Sequence, residues 1–108
     1  MEEAIRAIAE PNRRRILQLV SSRELSAGEI AERFEISRPA VSQHLTVLRG
    51  AGLLSERRDG TRRLYSLRPE GFHDLRSFLE AFWGEGLERL KEAAETEEGR
   101  RRRGRRAA

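Results

Sequence analysis

The segment SAGEIAERFEISRPAVSQHLTVLRGAG, residues 26–52, encodes two short helices and the turn between them. Ser26-Ala27-Gly28-Glu29 has the form of a capping box, in which the Ser oxygen and the Glu carboxylate satisfy amides orphaned at a helix start. Leu25, just before it, is placed to staple onto Ile30, and Ala27, Ile30, Ala31 and Phe34 then keep the i, i+3, i+4, i+7 spacing of one helical face. Only Glu35 and Ile36 intervene before Ser37, which caps a second helix with Pro39 in its first turn, where a missing N–H does no harm. Ile36 and Val41 make a second staple. Val41, Leu45 and Leu48 form the inward stripe, and Gly52 stands where the helix can close on a left-handed residue.

Two short helices joined by so tight a turn are a helix-turn-helix, whose second helix offers its outer face to the major groove of DNA. With the apolar stripe turned inward, Ser37, Arg38, Pro39, Ser42, Gln43 and Thr46 are left facing out. Arginine forks onto guanine, glutamine pairs with adenine, and serine or threonine hydrogen-bonds to either. Ser37, at the helix N-terminus, stands where backbone amides favour a phosphate. His44 lies at the edge of the stripe, where a packing role with one ring nitrogen hydrogen-bonded is expected.

Downstream the period changes from helical to alternating. Leu54 to Arg58 and Thr61 to Leu67 flank Asp59-Gly60, a two-residue signal for a hairpin with a type I′ turn. That turn pairs Arg58 with Thr61, Arg57 with Arg62 and Glu56 with Arg63. Opposed arginines destabilise a free hairpin, so an anion is expected between them, and Arg57, Arg58, Arg62 and Arg63 are assigned to contact with a DNA backbone. Upstream, Ile5 and Ile8 lie with Ala4 and Ala9 on a short amphipathic helix. Pro11 and Asn12 restart the chain, with Asn12 as the expected cap, into a helix carrying Ile16, Leu17, Leu19 and Val20. From Pro69 to about Glu95, Phe72, Leu75, Leu79, Phe82, Trp83, Leu87 and Leu90 recur at helical spacing. With Phe78 this stripe is wider than a small domain needs for its own core, and it predicts self-association through these residues together with Ile5 and Ile8. The expected fold is mainly α with a small β-hairpin (α+β), a winged helix-turn-helix in the order α-α-α-α-β-β-α. It occupies residues 1–95, followed by a disordered Arg-rich tail over 96–108.

Charge supports this partition. The chain of 108 residues has a formal net charge of +4. Residues 33–69 carry eight Arg against three acids, whereas residues 70–99 carry three basic residues against nine acids. Six arginines follow from Arg100 onward, so the overall basicity belongs to the tail and only the middle segment points to nucleic acid.

Ala9-Glu10-Pro11-Asn12-Arg13-Arg14-Arg15-Ile16-Leu17, Ser37-Arg38-Pro39-Ala40-Val41-Ser42-Gln43-His44-Leu45, Leu48-Arg49-Gly50-Ala51-Gly52-Leu53 and Glu56-Arg57-Arg58-Asp59-Gly60-Thr61-Arg62-Arg63-Leu64-Tyr65 together resemble the ArsR/SmtB winged-helix repressors. The resemblance covers roughly residues 1–95. It implies a homodimer built from the first and last helices, repressing by occupying an operator-promoter. Many members of that family release DNA on binding metal, through a Cys-containing motif on the helix before recognition or paired ligands on the last helix. Here there is no cysteine, and the last helix offers only His73-Asp74. The resemblance is therefore closer to the metal-independent autorepressors, with no metal and no cofactor, and no small-molecule effector is readable.

The absence of cysteine and of any Ser/His/acid set argues against an enzyme. No apolar stretch approaches the length of a membrane span, and the start Met1-Glu2-Glu3 is unlike a secretory signal, so a cytoplasmic protein is expected. The competing reading is a winged-helix module that binds protein through the aromatic last helix, against which the basic hairpin argues.

Overall fold

The computed structural model describes residues 1–107, apart from the side chains of Phe82, Glu85 and residues 102–107. The elements are α1 (Glu2–Ile8), α2 (Pro11–Val20), β1 (Leu25–Ser26), α3 (Ala27–Ala31), α4 (Arg38–Gly50), β2 (Leu54–Asp59), β3 (Arg62–Leu67) and α5 (Pro69–Ala107). They divide into two compact units, residues 1–76 and 77–108.

The first unit has a core drawn from every element it contains. Ile16, Ile30, Val41, Leu48 and Leu53 have no exposed surface, and Leu25, Leu45, Leu54, Leu64, Tyr65 and Leu75 are buried beside them. On α1 the buried residues are Ala4 and Ala7, with Ile5 and Ile8 only half-buried. No side-chain nitrogen or oxygen buried among the described residues lacks a hydrogen-bond partner.

Local chemistry sets the helix ends. The capping box at α3 forms as expected, Glu29 N donating to Ser26 Oγ and Ser26 N to Glu29 Oε1, each at 3.1 Å. α4 ends in a Schellman motif: Gly52 takes φ +78°, its amide donates to the Arg49 carbonyl at 3.0 Å, and Leu53 N donates to the Leu48 carbonyl at 3.0 Å. At α2 the cap is Glu10 rather than Asn12. The Glu10 carboxylate reaches back to accept from Arg13 N at 2.9 Å, and Pro11 occupies the first turn. Asn12 stands two residues past the cap position, already inside the first turn, so the capping falls to Glu10. Arg13 and Arg14 then satisfy the last carbonyls of α1, Arg13 Nε donating to Ala7 O at 2.7 Å and Arg14 Nη1 to Ile8 O at 2.8 Å. Arg15 lies over the Phe34 ring, 4.7 Å from its centroid.

The sheet has a third strand that the sequence did not announce. β1 pairs antiparallel with β3, Leu25 opposite Tyr65 and Ser26 opposite Leu64, giving the order β1-β3-β2. The hairpin register also differs from the expected one. Asp59 faces Arg62, Arg58 faces Arg63 and Arg57 faces Leu64, so the turn residues are Gly60 and Thr61. Gly60 is the turn residue with positive φ, at +65°. This is the φ signature of a type II′ turn with glycine in its first central position, whereas a type I′ turn needs positive φ at both central residues and Thr61 does not have it. The register also gains an opposite-charge pair, Asp59 across from Arg62.

In the second unit α5 continues as helix to Ala107, beyond Glu95 where the apolar pattern stops, in contrast to the disordered tail expected there. Arginine and glutamate are good helix formers, and Arg101 pairs with Glu97 at i, i+4.

Candidate nucleic-acid interface

The outward face of α4 is assembled as its spacing requires. Ser37, Arg38, Pro39, Ser42, Gln43 and Thr46 are all exposed, while Val41, Leu45 and Leu48 on the opposite side are buried. Ser37 Oγ accepts from Ala40 N at 3.3 Å, so this hydroxyl holds the helix end. Thr46 Oγ1 donates to the Ser42 carbonyl at 3.0 Å, which leaves its lone pairs outward as acceptors. Ser42 and Gln43 therefore head the polar face one turn into the helix. His44 turns toward α2, its Nδ1 3.3 Å from Arg13 Nη1 and 3.8 Å from Glu10 Oε2. Because a guanidinium can only donate, Nδ1 is the acceptor there, and the packing role fits.

The wing sorts its arginines by face. Strand alternation and the observed register put Glu56, Arg58, Arg63 and Tyr65 on one side and Arg57, Asp59, Arg62 and Leu64 on the other. Arg57 is held by Glu24 in a fork, Nε donating at 2.8 Å and Nη2 at 2.8 Å. Arg62 donates to Glu29, the same carboxylate that completes the α3 capping box. On the other face Glu56 accepts from Arg49 of α4 at 2.6 Å and lies 3.8 Å from Arg63, tying the wing to the end of the outward helix. Burial, the Glu56 charge and a hydrogen bond to that carboxylate push the Tyr65 hydroxyl above its ordinary range. The directly opposed arginines are thus Arg58 and Arg63, not Arg57 and Arg62. Arg58 has no ion-pair partner among the described residues.

Between the wing and α4 lies a cleft lined by Ser26, Gly28, Arg38, Ser42, Thr61, Arg62, Arg63 and Tyr65. Its cations are Arg38 of α4 and Arg62 and Arg63 of β3, more than 20 residues apart in the sequence. The ion pairs that tie down the wing, Glu24–Arg57 and Glu29–Arg62, each link residues 33 apart in the chain. No spacing rule reaches that far.

Three carboxylates of this framework titrate low. Glu24 is held down by its hydrogen bonds from Arg57. Glu29 is held down by the Ser26 amide and hydroxyl, with Arg62 adding its charge. At Glu10 burial pulls upward, but the Arg13 and Asn12 amides and the charges of His44 and Arg13 outweigh it. A carboxylate lowered in the folded state stabilises it fully above the unfolded value, 4.5, and loses that contribution as pH falls through the lowered one. The melting temperature is therefore expected to fall as pH drops below 4.5, and to fall less steeply in Glu29→Gln. Thermal melts at stepped pH check this; parallel profiles for the two proteins would contradict it.

The residues expected to mediate self-association fall into different environments. Ile5, Ile8, Phe72 and Leu79 are half-buried, and Leu75 is only 6% exposed, already part of the first unit's own core. On α5, Trp83, Leu87 and Leu90 are exposed and adjoin along one helix face. The Phe82 side chain lies outside the described residues. No three His, Asp or Glu side chains among the described residues gather as metal ligands would, and no described helix is long and apolar enough to cross a membrane.

A family model described as "Bacterial regulatory protein, arsR family" matches residues 10–56. The chain is 44% identical over 86 residues to the HTH-type transcriptional regulator Rv2034 of Mycobacterium tuberculosis, an alignment that covers 80% of each protein. It is 37% identical to the transcriptional repressor SdpR of Bacillus subtilis, over 80% of this chain and 96% of that protein. Among solved structures, a possible transcriptional regulator for arsenical resistance superimposes with a TM-score of 0.74 at 43% identity, covering 83% of this chain and 93% of that one.

Proposed function

The chain belongs to the arsR family of bacterial regulatory proteins, and from that premise we propose that it is a homodimeric repressor that occupies an operator without sensing metal. The observation that carries this reading is the exposed row Ser42, Gln43 and Thr46 on α4. The row is locked in orientation by the Ser37 cap and the Gly52 Schellman motif, and it is flanked by a wing with two opposed arginines. α4 is assigned to the major groove, with Ser37, Arg38 and Pro39 at its leading end. Arg58 and Arg63 are assigned to the backbone beside it, with Arg57 and Arg62 contributing from the other face of the wing. DNA binding and dimerisation are placed in residues 1–95. Ile5 and Ile8 on α1 and, separately, Phe72, Leu79, Phe82, Trp83, Leu87 and Leu90 on α5 are assigned to the second copy. The half-exposed Trp83 and Leu87 and the two-thirds-exposed Leu90 support that assignment, since exposed aromatic and aliphatic clusters mark association sites. Metal-independence rests on the residues themselves: the chain has no cysteine, and the last helix offers only His73-Asp74.

Electrophoretic mobility shift on the DNA upstream of the chain's own gene tests the reading: selective retardation supports it, and equal retardation of unrelated DNA sinks it. Gln43→Ala is expected to cost about 1–3 kcal/mol on the preferred site and to relax selection at a single base pair. Competition with single-base variants of that site measures it. If every variant competes as it does against the unsubstituted chain, Gln43 reads no base.

A further inference from the structure

We propose that the cleft between α4 and the wing is a seat for one DNA backbone phosphate, and that Arg38 grips this phosphate rather than reading a base. The inference rests on the DNA-binding reading above and assigns one of its residues a different task from the one its position on the helix suggests.

Helical position alone puts Arg38 at the leading end of the outward face, where a forked contact to guanine is the natural expectation. The guanidinium, however, lies back in the cleft. Its Nη2 stands 3.6 Å from the point that a β-carbon on Gly28 would take, so the missing side chain of Gly28 leaves room for it against α3. Arg62 and Arg63 of β3 line the same cleft, as do the hydroxyl-bearing Ser42 and Thr61. Arg62 is pinned by Glu29, and Arg63 is steadied at 3.8 Å from Glu56. Each guanidinium has five N–H donors, so one acidic partner fixes its position without using them all. Arg38 has no acidic partner among the described residues. Three arginines and two hydroxyl-bearing residues lining one cleft, with Arg38 carrying no acidic partner, match a monoanionic tetrahedral phosphodiester in charge and donor type, and a base edge offers no such group. DNA lying along α4 and the wing would supply it as a backbone phosphate.

The test uses the full chain, a DNA site enriched from random sequence, and a scrambled duplex of the same length. Arg38→Ala is expected to weaken both duplexes by the same factor and to lower the slope of log K against log salt by about 0.9, the loss of one phosphate contact. The enriched sequence selected by Arg38→Ala is expected to match that of the unsubstituted chain. Arg38→Lys, which keeps the charge but not the fork, is expected to retain the slope. A selected sequence that becomes degenerate at one position, with scrambled DNA bound as before, would show that Arg38 reads a base and overturn the proposal. An unchanged slope and affinity would overturn it equally. Absence of any selective binding by the unsubstituted chain would instead remove the DNA-binding reading on which the seat depends.

Discussion

Leu48→Ala is expected to lower the free energy of unfolding by about 2–5 kcal/mol, the cost of emptying a fully enclosed site in a core. Leu48 has no exposed surface, and its carbonyl accepts the Leu53 amide that closes the end of α4. Proteins of this kind have total stabilities of about 5–15 kcal/mol, so the loss is a large share. In urea denaturation the midpoint should fall with the slope unchanged. Val47, its neighbour on the same helix, is 43% exposed, and Val47→Ala should stay within about 0.5 kcal/mol of the unsubstituted protein. Equal losses at the two positions would mean that α4 is rotated, and Ser42, Gln43 and Thr46 would no longer share the outward face.

The second large effect is a reversal of sign. An alanine in place of glycine inside a helix ordinarily stabilises it by about 0.5–1 kcal/mol. Gly71, in the first turns of α5, is expected to behave oppositely. A β-carbon there would stand 1.9 Å from the Gly52 carbonyl oxygen and 2.9 Å from its carbon. Those atoms are backbone and cannot swing aside, and Gly52 is already fixed at positive φ by its Schellman hydrogen bonds. Gly71→Ala should therefore cost about 1–3 kcal/mol through overpacking, with loosening of the α4 terminus. Gly84, also on α5, has open space where its β-carbon would go, and Gly84→Ala should not destabilise. Chemical denaturation of the two variants side by side decides the matter; a stabilised Gly71→Ala would remove the close approach of α5 to Gly52.

How much of this was legible in the sequence follows from the range of the forces involved. The capping box of α3, the Ser37 cap and the Gly52 terminus are set by residues within a few positions of one another, and the sequence located them. The Val41-Leu45-Leu48 stripe was readable for the same reason, and with it the exposed face opposite. The hairpin was visible but its register was not. Asp59-Gly60 and Gly60-Thr61 are both plausible turns, and the choice between them lies in turn φ and in the Asp59–Arg62 pairing across the strands. β1, two residues long, is too short to show any period and exists through its partner β3. No spacing in Arg13-Arg14-Arg15 tells where the guanidinium groups go; the structure gives two to α1 carbonyls and one to the Phe34 ring. Within the candidate interface, the outward residues of α4 followed from periodicity. Which wing arginines are tied down, by Glu24 and Glu29, required the tertiary structure.

A dimer that reads DNA sequence through α4 selects a defined site. Enrichment of bound duplexes from a random-sequence library by the full chain, followed by sequencing, tests it most directly. Two inverted half-sites centred about 34 Å apart, one helical turn, are expected, as a two-fold pair of recognition helices requires. A pool that stays random, or one that converges on a single unrepeated half-site, would contradict it.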